Sequence, residues 1–235
     1  MGIEESDSGK LPLSQIPSGG IRVVDLSLDI YDGAPTYPGL AECSVTRTHT
    51  VAANGLNISR LTLSTHGTTH LDAPSHIRDD GGTVEQLELE KCVGPAWVID
   101  LSALPPKSLV RVSDLGPAAE HVVPGARILL RFDWDKHYPH PEYFADHPNI
   151  SLELAHWFAA RRISVLGIDT PTPNLDQVVD VHGVLLEAGI VLVEALANLD
   201  RFPEDGGFLI VAPLRVVGAD GAPLRALALV ERGPS

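Results

Sequence analysis

Short apolar runs broken by Gly and Pro set the pattern of this chain, and their periodicity predicts its elements. IRVVDLSLDI reads as a strand, and YDGAPTYPG after it as a loop rich in turn formers. NISRLTLSTH alternates with period two, placing Leu61, Leu63 and Thr65 on one face and Arg60, Thr62, Ser64 and His66 on the other. A short helix is predicted near Val84–Leu89, then a buried strand in AWVIDL. RILLRF predicts another strand, which leads into the polar loop DWDKHYPHPEYFADHPN.

From Ser151 onward the pattern alternates helix and strand. Ser151 is a suitable N-cap for a helix ending near Arg161, and ISVLGID follows as a buried strand. A second helix is predicted over Asp176–Glu187, stopping at Gly189 in a left-handed C-cap, before the strand IVLVEAL. GFLIVAPLRVV and PLRALALV read as two further strands joined by the turn GADGAP. Residues 1–19 carry little that could form a core and are expected to be a disordered tail. Residues 20–235 then form a single α/β domain with a mixed sheet, partly antiparallel.

Composition narrows the function. Of 235 residues, 31 are acidic and 17 basic, a formal charge of −14 that disfavours nucleic acid and anionic membrane as partners. Cys43 and Cys92 form no metal-type spacing and are expected to be ordinary buried thiols. The acidic start MGIEESDSGK has neither a basic nor an apolar leader region, and no apolar run approaches the ~20 residues of a membrane span, so a cytoplasmic location is expected.

The strongest chemical signal is His66-Gly67-Thr68-Thr69-His70-Leu71-Asp72-Ala73-Pro74-Ser75-His76, three imidazoles and a carboxylate within eleven residues. Gly67, two threonines and Pro74 argue against a helical pair, so the run reads as a strand end turning into a tight loop. Neutral imidazole and carboxylate are the usual ligands of zinc, manganese and iron. The plain alternative is a surface loop whose histidines cap turns. His182 lies on the apolar face of its helix with Val178, Val181 and Leu185, and Glu194 shares a strand face with Ile190, Leu192 and Leu196. A carboxylate so placed takes a proton or finds a cation, so this pair reads either as further ligands or as a core histidine beside a protonated acid. Ser75, Thr68, Thr69 and Asp169 could orient ligands or simply serve turns.

The run HGTTHLDAPSH resembles the HxGTHxDAPxH signature of the cyclase family of metal-dependent hydrolases, the group containing bacterial kynurenine formamidases (arylformamidases) and isatin hydrolases. DLSLDIYDGAPTYPG, NISRLTLS, GIDTPTPN, VHGVLLEAGIVLVEALANLDRFP and APLRVVGADGAPLRALAL resemble other stretches of that family. The resemblance implies a single mixed-sheet domain of the swivelling β/β/α type and a small-molecule substrate. It implies a metal held by His66, His70 and Asp72, with Asp72 bridging to a second ion completed by His182 and Glu194. One or two divalent ions, Zn2+ or Mn2+, would be bound per chain. His76 would be the acid/base residue and Tyr37 an aromatic wall for the substrate, in a homodimeric enzyme. The implied reaction is hydrolysis of a non-peptide C–N bond, in an N-formyl arylamine or a small cyclic amide. The loop DWDKHYPHPEYF and the segment TPNLD depart from the formamidase pattern, which bears on the substrate and not on the metal site. Two other classes compete: a lyase or cyclase acting on a carbonyl substrate, and a non-catalytic metal-binding scaffold. A free imidazole beside the metal, as His76 would be, argues against the scaffold.

Overall fold

The structure, a computed structural model, describes residues 20–231; the tail expected over residues 1–19 lies outside the described residues, as do residues 232–235. In chain order come β1 (Ile21–Asp25), β2 (Ser44–His49), α1 (Val51–Asn54), β3 (Ile58–Thr62) and β4 (His70–Asp72). Then follow α2 (Leu89–Cys92), β5 (Val93–Asp100), β6 (Leu109–Val110), β7 (Arg127–Arg131), α3 (Pro141–Ala145) and β8 (Asn149–Ile150). The C-terminal half holds α4 (Leu152–Arg161), β9 (Val165–Ile168), α5 (Val178–Glu187) and β10 (Val191–Glu194). It closes with β11 (Gly207–Ile210), β12 (Gly221–Pro223) and β13 (Leu227–Glu231).

Among the described residues nine strands form one sheet, in the order β1-β13-β11-β5-β7-β9-β10-β4-β12. Its middle, β5-β7-β9-β10, is parallel, and both flanks are antiparallel. This explains why Ile128–Leu130 and Ile190–Val193 are unbroken apolar runs. Central parallel strands are buried on both faces. Ile128 and Leu130 of β7 pack with Phe158 of α4 and Leu185 of α5, while Leu129 faces a second core with Val24, Leu209 and Ala228. The sheet curls until the chain after β1 meets the end of β10, through the Ser27–Leu196 bridge. The result is the layering expected of a β/β/α fold, with one core inside the curl and one beneath the helices.

Local chemistry set the helices as anticipated. Ser151 Oγ accepts the Leu154 amide at 3.1 Å and starts α4, and Gly189 takes φ +72 just after α5. Cys43 and Cys92 are buried and unbridged.

Four features differ from the sequence reading. SVTRTH, too polar to flag itself, is strand β2, and among the described residues it pairs only with β3. The resulting ribbon has no covering layer among the described residues, so the alternation in NISRLTLSTH buries nothing and Leu61 is 52% exposed. The helix expected near Val84–Leu89 is a 3-10 turn at Val84–Gln86 followed by α2. The turn GADGAP contains a buried edge strand, β12, in which Pro223 is tolerated because only one side is paired. Finally, Ala195 takes φ +55, breaking the alternation, so Leu196 packs in the inner core while Leu192 packs under the helices.

Candidate metal and catalytic site

Strand register assembles the site. In β4, His70 lies opposite Glu194 of β10 and Asp72 lies opposite Leu192. Residues opposite or two apart across an antiparallel pair share a face, so His70, Asp72 and Glu194 point the same way. His182 reaches them from α5, His66 from the turn before β4, and His76 from the 3-10 turn Pro74–His76 that follows it. His66 Nδ1 is 2.8 Å from Asp72 Oδ1, and His70 Nε2 is 3.4 Å from both Asp72 Oδ1 and Glu194 Oε2. His182 Nε2 is 3.1 Å from Glu194 Oε1 and 3.5 Å from Asp72 Oδ2. The His76 ring lies 4.0 Å from that of His66 and 5.4 Å from that of His182. All six side chains predicted to carry metal or proton chemistry therefore converge on one place.

Hydrogen bonds decide which nitrogen of each imidazole faces inward. His70 Nδ1–H donates to the Thr68 carbonyl at 2.8 Å, and His182 Nδ1–H to the Val178 carbonyl at 2.7 Å. His66 Nε2–H donates to Asp220 Oδ2 at 3.0 Å. A neutral imidazole has a single N–H, so His70 Nε2, His182 Nε2 and His66 Nδ1 are left as lone pairs aimed at carboxylate oxygens. Lone pairs facing carboxylates require positive charge between them, as a second proton or a cation. The electrostatics agree. Burial opposes charge on His70, yet Asp72 and Glu194 outweigh it and push the imidazole up to about 10. His182 is raised well above the usual imidazole range by the same two carboxylates, against the same burial. Burial also opposes ionisation of Asp72, but His182, His66 and His70 hold it well below the ordinary carboxylate range. Burial and Asp72 push Glu194 up, and His182 and His70 bring it below its usual value. Glu194 thus lies among polar partners and not in apolar surroundings.

These residues fit a divalent cation. Asp72 Oδ1 and Oδ2 and His70 Nε2 are buried without a hydrogen-bond partner among the described residues, an expensive arrangement that metal coordination relieves. Ligand-type atoms of His70, Asp72 and Glu194 all lie within 4.8 Å of one another, as do those of His66, Asp72 and His76. Asp72 belongs to both groups.

A cleft opens beside this cluster, lined by Tyr37, His66, Thr68, His70, Tyr138 and Phe144 among others, with no lysine or arginine in its wall. Tyr37 stands where expected and meets Phe144 edge-on, ring centroids 6.5 Å apart. The loop after β7 contributes more than its polar sequence indicated. It buries Trp134 and Tyr143, and Tyr138 Oη donates to the Pro35 carbonyl, fastening the loop that carries Tyr37. Asp169, a candidate for orienting ligands, instead accepts the backbone amides of Phe132 and Trp134 and shapes this loop. Thr69 joins β4 to its neighbours, donating to Ala195 and accepting from Leu28. Ser75 reaches only the Ala219 carbonyl, at 3.5 Å. Asp220 was missed: a carboxylate in a Gly-rich turn carries no sequence signal until β12 is known to pair with β4.

A family model described as "Putative cyclase" matches residues 24–175. The chain belongs to the cyclase family. The matched span contains His66, His70, Asp72 and His76 and ends before His182 and Glu194, which the cyclase fold brings to the same point. A kynurenine formamidase of Erythrobacter litoralis is 31% identical over 209 residues, covering 88% of this cyclase-family chain and 93% of the relative. Isatin hydrolase A from Ralstonia solanacearum superposes with a TM-score of 0.80 at 28% identity, covering 90% of this chain and 92% of that one. Isatin hydrolase A from Labrenzia aggregata gives 0.81 at 27% identity, with 92% and 96% covered. Among the described residues no helix is long and apolar enough to cross a membrane.

Proposed function

We propose that this chain is a metal-dependent amidohydrolase that cleaves a non-peptide C–N bond, in an N-formyl arylamine or a small cyclic amide. The observation that carries the reading is the convergence of three imidazole nitrogens on two buried carboxylates. In this reading His66, His70 and Asp72 would hold one ion, and His182 and Glu194, together with Asp72, would hold a second. Zinc or manganese suits such nitrogen and carboxylate donors. The cation, when bound, supplies Lewis acidity and makes water a nucleophile at neutral pH.

His76 does the proton work. It is 29% exposed and, among the described residues, comes no closer than 3.8 Å to a carboxylate, the loosest such approach of the four imidazoles in the cluster. It takes a proton from the attacking water and returns it to the leaving nitrogen, for which an imidazole is suited near neutrality. Tyr37, Tyr138, Tyr143 and Phe144 offer aromatic surface to an aryl group. The cleft has a volume of only about 10 Å3, room for roughly one water, so these side chains must swing aside to admit substrate. A wall without lysine or arginine suits a neutral amide better than a strongly anionic substrate.

A homodimer is part of the reading. The β2–β3 ribbon exposes Ile58 on one face and Leu61 on the other, apolar side chains that a second copy gripping the ribbon would cover. The test combines metal analysis of the purified protein with turnover of N-formyl anilides, isatin-like lactams and small esters. Bound divalent metal with turnover of an amide supports the proposal. A metal-loaded protein active only on esters, or on none of these, overturns it.

A further inference from the structure

Thr68 sits in the left-handed region at φ +58, a conformation strained for a β-branched residue. The twist has a local purpose: it turns the Thr68 carbonyl onto His70 Nδ1, fixing the tautomer of that imidazole. Glycine would serve the purpose without strain, and glycine is what the HxGTHxDAPxH signature has at this position. The threonine side chain must therefore be explained separately. Its Oγ1 is buried and has no hydrogen-bond partner among the described residues, in a residue only 7% exposed. A buried hydroxyl without a partner costs stability, so position 68 carries two unfavourable features at once. Thr68 lines the cleft together with His66, His70 and Tyr37.

We infer that Thr68 is a substrate-contacting residue whose Oγ–H donates to the carbonyl oxygen of the scissile amide as negative charge develops there. The inference rests on the amidohydrolase reading and adds a donor from the chain itself to the reacting carbonyl. An oriented hydroxyl in a water-poor cleft is the kind of donor that stabilises an oxyanion.

The test compares metal-loaded wild type with Thr68→Val, Thr68→Ser and Thr68→Gly, using formanilide as the probe. Val keeps the shape and loses the hydroxyl, and its kcat should fall by roughly 10²–10³ with KM little changed, the effect of removing one oxyanion donor. Ser keeps the hydroxyl and should recover most of the activity. Thermal unfolding should move the opposite way. Val no longer buries an unsatisfied hydroxyl and Gly relieves the backbone strain, so both should melt higher than wild type while turning over more slowly. A hydroxyl with only a structural role would not pair loss of turnover with gain of stability. An active wild type whose Thr68→Val variant keeps its kcat overturns the inference and leaves the amidohydrolase reading standing. A fall confined to KM assigns the hydroxyl to ground-state binding and also overturns it. A metal-loaded wild type with no activity on any amide overturns the broader reading, and this one with it.

Discussion

Asp220 accepts the Nε2–H of His66 at 3.0 Å, joining two residues 154 positions apart in the chain. The pairing of β12 with β4 sets Gly221 opposite Asp72 and so brings Asp220 beside the histidine. A Cβ on Gly221 would lie 2.7 Å from His66 Cε1, so only glycine allows this approach. Thr65 Oγ1 donates to the other Asp220 oxygen at 3.1 Å and fixes its orientation. The carboxylate thereby holds His66 in the tautomer that turns Nδ1 toward Asp72.

Asp220→Ala should therefore weaken metal binding by about 10–100-fold, the usual cost of removing a partner that orients a ligand. Asp220→Asn keeps an oxygen acceptor and should recover much of the loss. Chelator competition measures both, and an alanine variant that binds metal like wild type would remove Asp220 from the site.

His76→Ala separates base from ligand. If His76 only moves protons, the variant should keep its metal and lose about 10²–10⁴ in kcat. Metal content and kcat are measured on the same preparation. Loss of metal would place His76 in the coordination sphere, which its approach to His66 and Asp72 permits. Unchanged kcat would exclude it from the mechanism.

Asp169 gives the fold a pH dependence. Burial raises its pKa well above the ordinary carboxylate range, and Asp135 and Asp133 push the same way, against the amides of Phe132 and Trp134. Between the unfolded and folded values the folded state should hold a proton that the unfolded chain has released. A group of this kind contributes most below the unfolded value, ~3.9, and its contribution is lost as pH rises toward the folded value. Asp169→Asn removes the titration. Its melting temperature relative to wild type should rise as pH is increased from about 4 to 7, the window that begins at the unfolded carboxylate value. A difference that stays flat across that range would mean the carboxyl titrates normally.

How much could be read from the sequence depends on where the information lies. His66, His70, Asp72 and His76 stand close together in the chain, and no strand pairing was needed to see them as a group. Glu194 was found because a carboxylate in an apolar strand is conspicuous, although its partners proved polar. The α4–β9–α5–β10 stretch was legible because capping and periodicity are local. Asp220, the left-handed turn at Thr68 and the β12 strand were not. The first depends on register between distant strands, the second on a backbone angle, and the third on a three-residue strand hidden among turn formers. The β2–β3 ribbon misled for a related reason: alternation reports a strand, and only packing decides whether either face is covered.

Glu194 and His182 carry the second half of the proposed metal centre, and one substitution tests it. Glu194 Oε1 and Oε2 face His182 Nε2 at 3.1 Å and His70 Nε2 at 3.4 Å. Glu194→Gln preserves this shape and removes one negative charge. If the carboxylate binds a cation, the amide is a poor substitute, and metal content and activity should fall together while the fold, followed by circular dichroism, stays intact. If Glu194 serves only to hydrogen-bond the two imidazoles, the amide oxygen still accepts a hydrogen bond from one of them, and metal content and activity should barely move. Anomalous scattering at the metal edge supplies an independent reading, since a zinc ligand lies at ~2.0–2.2 Å from the ion. An ion at that distance from both Glu194 and His182 is the expected result. A fully metallated, fully active Glu194→Gln protein would reduce the centre to a single ion held by His66, His70 and Asp72.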